Sequence, residues 1–158
     1  MSSSKSSSMS PYLRFALMIA TSAVVMYAVM YLHTYEWDHI FWSQTRMWMT
    51  LIMVSAMVFV MMPFMRHMYQ NRTLNIAFYA TAALVFLGSV YFVRSQTLVD
   101  DVAYMRGMIP HHSIAILTSR RAHIEDPRVR TLADDIIDAQ VREIAEMKAL
   151  IADLTAQD

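Results

Sequence analysis

The chain of 158 residues is long enough for one ordinary domain, yet 56% of it is hydrophobic and only 16% charged, too apolar for a typical soluble fold. Thirteen basic residues balance thirteen acidic ones, so no net field draws it to nucleic acid, which is excluded as an expected partner. The absence of cysteine rules out disulfides, zinc-thiolate sites and iron–sulfur clusters, and leaves Met, His and carboxylate as metal donors.

Two glycines and four prolines are few breakers, which predicts an all-α fold. Residues 1–11 (MSSSKSSSMSP) form a serine-rich polar tail with too little apolar surface to fold, and disorder is expected there. Residues 12–32 then run apolar with one charge, Arg14, at the edge, and about 20 such residues cross the hydrocarbon layer of a bilayer. The run exceeds the apolar core of a signal peptide and lacks a small-residue cleavage site, so it reads as a span. Residues 33–46 (HTYEWDHIFWSQTR) have the mixed aromatic and polar composition of a connection at the interfacial belt. A second span is predicted over 47–65, ending at Pro63, and a third over 75–93, closed by Arg94, which completes a membrane region of residues 12–94.

Three spans put the two chain ends on opposite sides of the bilayer. Lys5, Arg14, Arg66 and Arg72 lie next to the spans on one side, against Arg46 and Arg94 on the other. This bias predicts a multi-pass protein of the cytoplasmic membrane with its N-terminus cytoplasmic and its C-terminal domain periplasmic or extracellular.

From residue 95 to 158 the pattern becomes amphipathic. Leu98, Val102, Met105, Met108 or Ile109, His112, Ala115 or Ile116, and Ser119 recur at three- and four-residue steps. No strong breaker separates Val93 from Asp100, so nothing local stops the third span from running on into this helix. Asp126-Pro127 offers an N-cap followed by proline at the first helical position. The last helix should reach about Leu154, with Leu132, Ile136, Ala139 or Gln140, Glu143 or Ile144, Met147 and Ile151 facing one way. The result is an antiparallel helical hairpin. Such a unit buries little core by itself, so a second copy completing a four-helix bundle, or the membrane helices, should cover it.

Asp101, Met105, Met108 and His112 fall within a narrow arc of the first hairpin helix. Thioethers prefer Cu(I), and imidazole accepts either oxidation state of copper. His111 points about a quarter-turn away from His112. Pro110, just before the pair, removes a backbone donor and can kink the helix, so the two histidines either converge through that distortion or serve different sites. On the second helix Gln140, Glu143 and Met147 share a face, and antiparallel pairing about Asp126 sets residues 105–112 opposite about 140–147. Glu143 is placed either to ligate directly or to orient a histidine.

Taken singly, Met105, Met108 and Met147 read more readily as core than as ligands, since methionine fills irregular gaps. What raises metal binding above packing is two histidines among the methionines, faced by Glu143 and Met147. Sixteen methionines occur in all, eight of them between Met47 and Met68. Those of the second span, Met49, Met53, Met57, Met61 and Met65, step by four and wind round the helix, so lipid-compatible packing is preferred to a metal-conducting path. His33, Glu36, Asp38 and His39 in the first connection invite a secondary metal-entry reading, but interfacial loop polar residues need no such role. Arg120, Arg121 and His123 complement the dipole at a helix end. No Glu-x-x-His pair of the kind used by di-iron bundles, no nucleophile motif and no phosphate loop is seen, and an enzyme is not expected.

The segments MIPHH (108–112) and QVREIAEM (140–147) resemble the hallmark of the family catalogued as domain of unknown function 305, Met-(Ile/Val)-Pro-His-His followed after a turn by Gln-x-x-Glu-Ile-x-x-Met. The resemblance covers about residues 97–155. It implies a ferritin-like helical bundle, usually exported, with copper binding and tolerance in some members, and Met105, Met108, His111, His112 and Met147 as ligands with Glu143 auxiliary. Three preceding spans depart from the simplest secreted members.

The expectation is therefore a membrane-anchored copper-binding protein, Cu(I) favoured and Cu(II) possible, that buffers copper, confers tolerance or delivers the ion. Its expected partners are the lipid bilayer, a second copy of itself and other copper-handling proteins. The alternative is a structural or interaction module whose Met and His residues only pack a bundle.

Overall fold

The computed structural model describes residues 9–156. Most of the predicted polar tail therefore lies outside the described residues. Among those residues the chain is all-α: α1 (Pro11–Val29), a short 3-10 turn (Trp37–His39), α2 (Gln44–Phe64), α3 (Arg72–Ser95), α4 (Asp101–Arg121) and α5 (Pro127–Thr155). It falls into two compact units, one of residues 9–27 and 48–94, the other of residues 28–47 and 95–156.

In the first unit three helices are long and apolar enough to cross a membrane: α1, α2 and α3, of 19, 21 and 24 residues. Their packing is aromatic at one end. Phe15, Val58, Met62, Tyr69 and Ala82 form a buried cluster, and the Phe15 ring meets Tyr69 and Phe78 edge-on at 5.4 and 5.6 Å. The Tyr12 hydroxyl donates to Asn75 Oδ1 (2.9 Å) and accepts from the Asn71 amide (2.9 Å), which ties α1 to the start of α3. The methionine ladder of the second span does not form one buried stripe: Met61 and Met65 pack, partly buried, against the cluster. Met62, outside the four-step series, is buried at 3% exposure, whereas Met49 is 42% exposed.

The second unit is the predicted hairpin, with one unpredicted component. Asp126 caps α5 through its carboxylate, which accepts from the Arg128 amide (2.8 Å), and Pro127 opens the helix. α3 does not run on into α4. Gln96 takes φ 54°, the left-handed conformation that commonly ends helices, and Asp100 caps α4 by accepting from the Ala103 amide (2.7 Å). Met105, Ile109, Ile116, Ile137, Ile144 and Ile151 make the core between α4 and α5. Fully burying a side chain of this kind contributes about 1.5–3 kcal/mol. The buried stripe at the start of α5 is Ala133 and Ile137, while Leu132 and Ile136 are exposed.

The unpredicted component is the first connection, which packs Tyr35 and Phe41 onto this core. The expected covers were a second copy or the membrane helices; residues 28–47 are a cover of a third kind. Arg46 secures the connection by donating to the Met30 carbonyl and lying 4.4 Å from the centre of the Tyr31 ring. Arg120 donates to the Tyr35 hydroxyl at 2.6 Å, a contact beyond its place at the helix end.

Candidate metal site

Antiparallel packing of α4 on α5 leaves an open groove of about 640 Å³. Met105, Met108, His112, Glu143 and Met147 all line it, together with Asp101, Tyr104 and, from α5, Glu146, Leu150, Asp153 and Leu154. Met105 is shared between groove and core: it is 6% exposed and packs among the isoleucines. Of the alternatives Met108 and Ile109, Ile109 is the core residue, fully buried, and Met108 turns to the groove.

His112 is the best-positioned donor. Its Nδ1 lies 2.9 Å from the Met108 carbonyl oxygen. A carbonyl only accepts, so Nδ1 carries the proton and donates, which leaves Nε2 as the coordinating atom of the neutral ring. Nε2 lies 2.7 Å from Glu143 Oε2, across the two helices. With Nε2 also protonated, this contact becomes a charge-assisted hydrogen bond from an imidazolium to a carboxylate. A metal ion taking the Nε2 lone pair would replace that proton and find Glu143 beside it.

His111 stands apart. Pro110 is buried inside α4 without ending the helix, the two imidazole centres are 6.1 Å apart, and His111 is exposed and does not line the groove. Partial burial, then the neighbouring His112 and Arg46, hold its pKa below the usual histidine value. Of the two routes that Pro110 left open, the continuous helix carries the separate placement of the rings.

The groove is acidic at its rim. Asp101, Glu143, Glu146 and Asp153 bring carboxylates to it, and no lysine or arginine lines it among the described residues. Carboxylates around thioethers attract cations and supply the countercharge that neutral Met and His lack. Glu146 and Asp153 had a legible signal, since they continue the three- and four-residue steps from Glu143 and Leu150.

Within the first connection, Glu36, Asp38 and His39 also converge. Their donor atoms lie within 4.8 Å of one another. His39 is buried, and its pKa is held below the usual value by that burial and by Lys148, against the opposite pull of Asp38 and Glu36. Asp38 accepts from Lys148 Nζ of α5 at 2.6 Å, which lowers its own pKa. Neither Ser113 nor Lys148 was among the sequence-derived site residues, yet both help to hold the connection: Lys148 through Asp38, and Ser113 through its Oγ, which accepts from the Tyr35 amide (2.6 Å) and meets His39 Nδ1 (2.9 Å).

Residues 101–158 match the model of the family described as Domain of unknown function (DUF305). An uncharacterized protein of Acanthamoeba polyphaga mimivirus, L153, is 36% identical over 114 residues, which make up 70% of this chain and 72% of that protein. The likeness thus extends upstream of Asp101. No solved structure matches the chain.

Proposed function

This chain belongs to the family of the domain of unknown function 305, and from that premise we propose that it is a membrane-anchored protein that binds copper, by preference Cu(I), for buffering, tolerance or delivery. The observation that carries the proposal is the shared groove: three thioethers, from Met105, Met108 and Met147, line it together with an imidazole whose Nε2 faces Glu143 at 2.7 Å. That donor set is soft, lacks competing cations and fits Cu(I) better than a hard ion. Copper is the cargo. The chain's own contribution is to fix the His112 tautomer through the Met108 carbonyl, to keep a carboxylate beside the coordinating nitrogen, and to present thioethers without thiols. His111, exposed on α4 and outside the groove, is assigned to handing the ion on or to a contact with a second subunit rather than to the same ion.

The balance of Lys and Arg around the spans supports an N-terminus in the cytoplasm and the hairpin at the outer face of the cytoplasmic membrane. Val129, Leu132, Ile136, Leu150 and Leu154 are exposed apolar residues of α5, which supports a second copy packing there and completing a ferritin-like bundle. Other copper-handling proteins are the partners such an ion would be passed to.

The test is a Cu(I) titration of the full chain in detergent against a competing chelator. Met105→Leu combined with Met147→Leu, and separately His112→Ala, should weaken binding by about tenfold or more, since even supporting residues around a metal contribute that much. Met53→Leu, Met57→Leu and Met61→Leu together should leave it unchanged. Binding unaffected by the groove variants would overturn the proposal and leave the alternative, in which Met105 and Met147 only pack the core they touch.

A further inference from the structure

The connection between α1 and α2 holds a second constellation whose chemistry differs from that of the groove. The 3-10 turn Trp37–His39 has three residues per turn, so it brings Glu36, just before it, over His39 and sets Asp38 beside them. His39 Nε2 lies 3.8 Å from Glu36 Oε2 and 3.7 Å from Asp38 Oδ1. Both distances exceed a hydrogen bond. His112 and Glu143, by contrast, close to 2.7 Å in the same unit.

The ring is fixed. His39 is 6% exposed, and its other nitrogen is engaged by Ser113 Oγ, itself fully buried on α4. The carboxylates are less enclosed: Glu36 and Asp38 side chains are 56% and 65% exposed. Asp38 uses Oδ2 for Lys148, which leaves Oδ1 as the oxygen facing the imidazole. Two donors that bind one tetrahedral Zn(II) at about 2.0–2.2 Å lie about 3.4 Å apart, close to the 3.7 and 3.8 Å from His39 Nε2 to the two carboxylates, and all three donor atoms lie within 4.8 Å of one another.

We infer that Glu36, Asp38 and His39 form a second metal site, for a borderline divalent cation of the Zn(II) class. One imidazole nitrogen and two carboxylates without sulfur suit such an ion and disfavour Cu(I). Ser113 acts as the positioning residue: in the tautomer whose Nδ1–H donates to Ser113 Oγ, the Nε2 lone pair is left for the ion. The net charge of the ligand cluster with Lys148 is one negative, which a dication reverses rather than compounds. Because Ser113 belongs to α4 and Lys148 to α5, occupancy fastens the connection onto both helices of the hairpin.

The experiment uses the full chain in detergent carrying His112→Ala, which removes the groove's imidazole, titrated with Zn(II) against a chromophoric chelator and with Co(II) for its visible spectrum. One equivalent of Zn(II) should bind. Glu36→Gln and Asp38→Asn, both at exposed side chains, should each weaken it by about tenfold or more, abolish the Co(II) bands when combined, and leave the helical circular dichroism unchanged. Cu(I) affinity in the His112-containing protein should be indifferent to both, so this site and the copper reading fail separately. Zn(II) binding that survives the Glu36→Gln and Asp38→Asn pair, or that is absent from the His112→Ala protein, overturns the inference.

Discussion

The first unit holds the greater number of methionines, yet it is the second that surrounds them with groups able to use a metal. In the first, Met62 is buried among Phe15, Val58, Tyr69 and Ala82, an apolar neighbourhood. In the second, Met105, Met108 and Met147 share a groove with His112 and four carboxylates. The side chain is the same and its setting is opposite. Methionine abundance is therefore a poor guide to function in a greasy chain, and the polar residues three and four positions away are the better one.

The largest expected effect sharpens this contrast. Met105 and Met62 are both buried, at 6% and 3% exposure. Truncating Met105 to Ala should cost the hairpin about 2–5 kcal/mol, the sum of lost transfer from water and a cavity. Met62→Ala should cost less if its unit is embedded in lipid, where packing is lost without a transfer term. Native-state hydrogen exchange of the full chain in bilayer nanodiscs would read both, and equal losses would break the contrast by showing that the first unit also folds against water.

The next effect concerns the boundary in the chain between these regions. Asp100→Ala removes the acceptor of the Ala103 amide and should cost about 1 kcal/mol. Faster exchange confined to the first turn of α4 is the expected result; unchanged exchange there would mean that α4 needs no start of its own. The smallest effect lies in the connection. His33 is held below its ordinary value of 6.5 by burial and by Arg46, so as pH falls the unfolded chain takes up the proton first. Metal-free stability contributed by neutral His33 is thus full above that ordinary value and declines below it. His33→Gln should flatten the acid limb of a thermal-melting profile, and an unaltered slope would remove His33 from the account.

Much of the fold was legible because its signals are local. Apolar runs long enough to span, the Asp126-Pro127 start and the facing registers of residues 105–112 and 140–147 follow from helix period and capping alone, and the structure has α5 beginning at Pro127 and His112 meeting Glu143. The break at Gln96 and Asp100 was less legible, because neither Gly nor Pro marks it. Aspartate at a cap was the available clue.

What the sequence by itself determined is the set of helices, their order and which Met- and His-bearing segments oppose one another, since these depend on steps of three and four residues and on turn chemistry. The tertiary structure decided the rotation of each helix about its own axis. That rotation put Ile109 rather than Met108 in the core, buried Ala133 and Ile137 while Leu132 and Ile136 stayed exposed, and kept His111 out of the groove. It also brought Ser113 to Tyr35 across 78 residues and Lys148 to Asp38 across 110. No local periodicity encodes such pairs; they arise only when a connection folds back to cover apolar surface that two helices cannot bury between themselves.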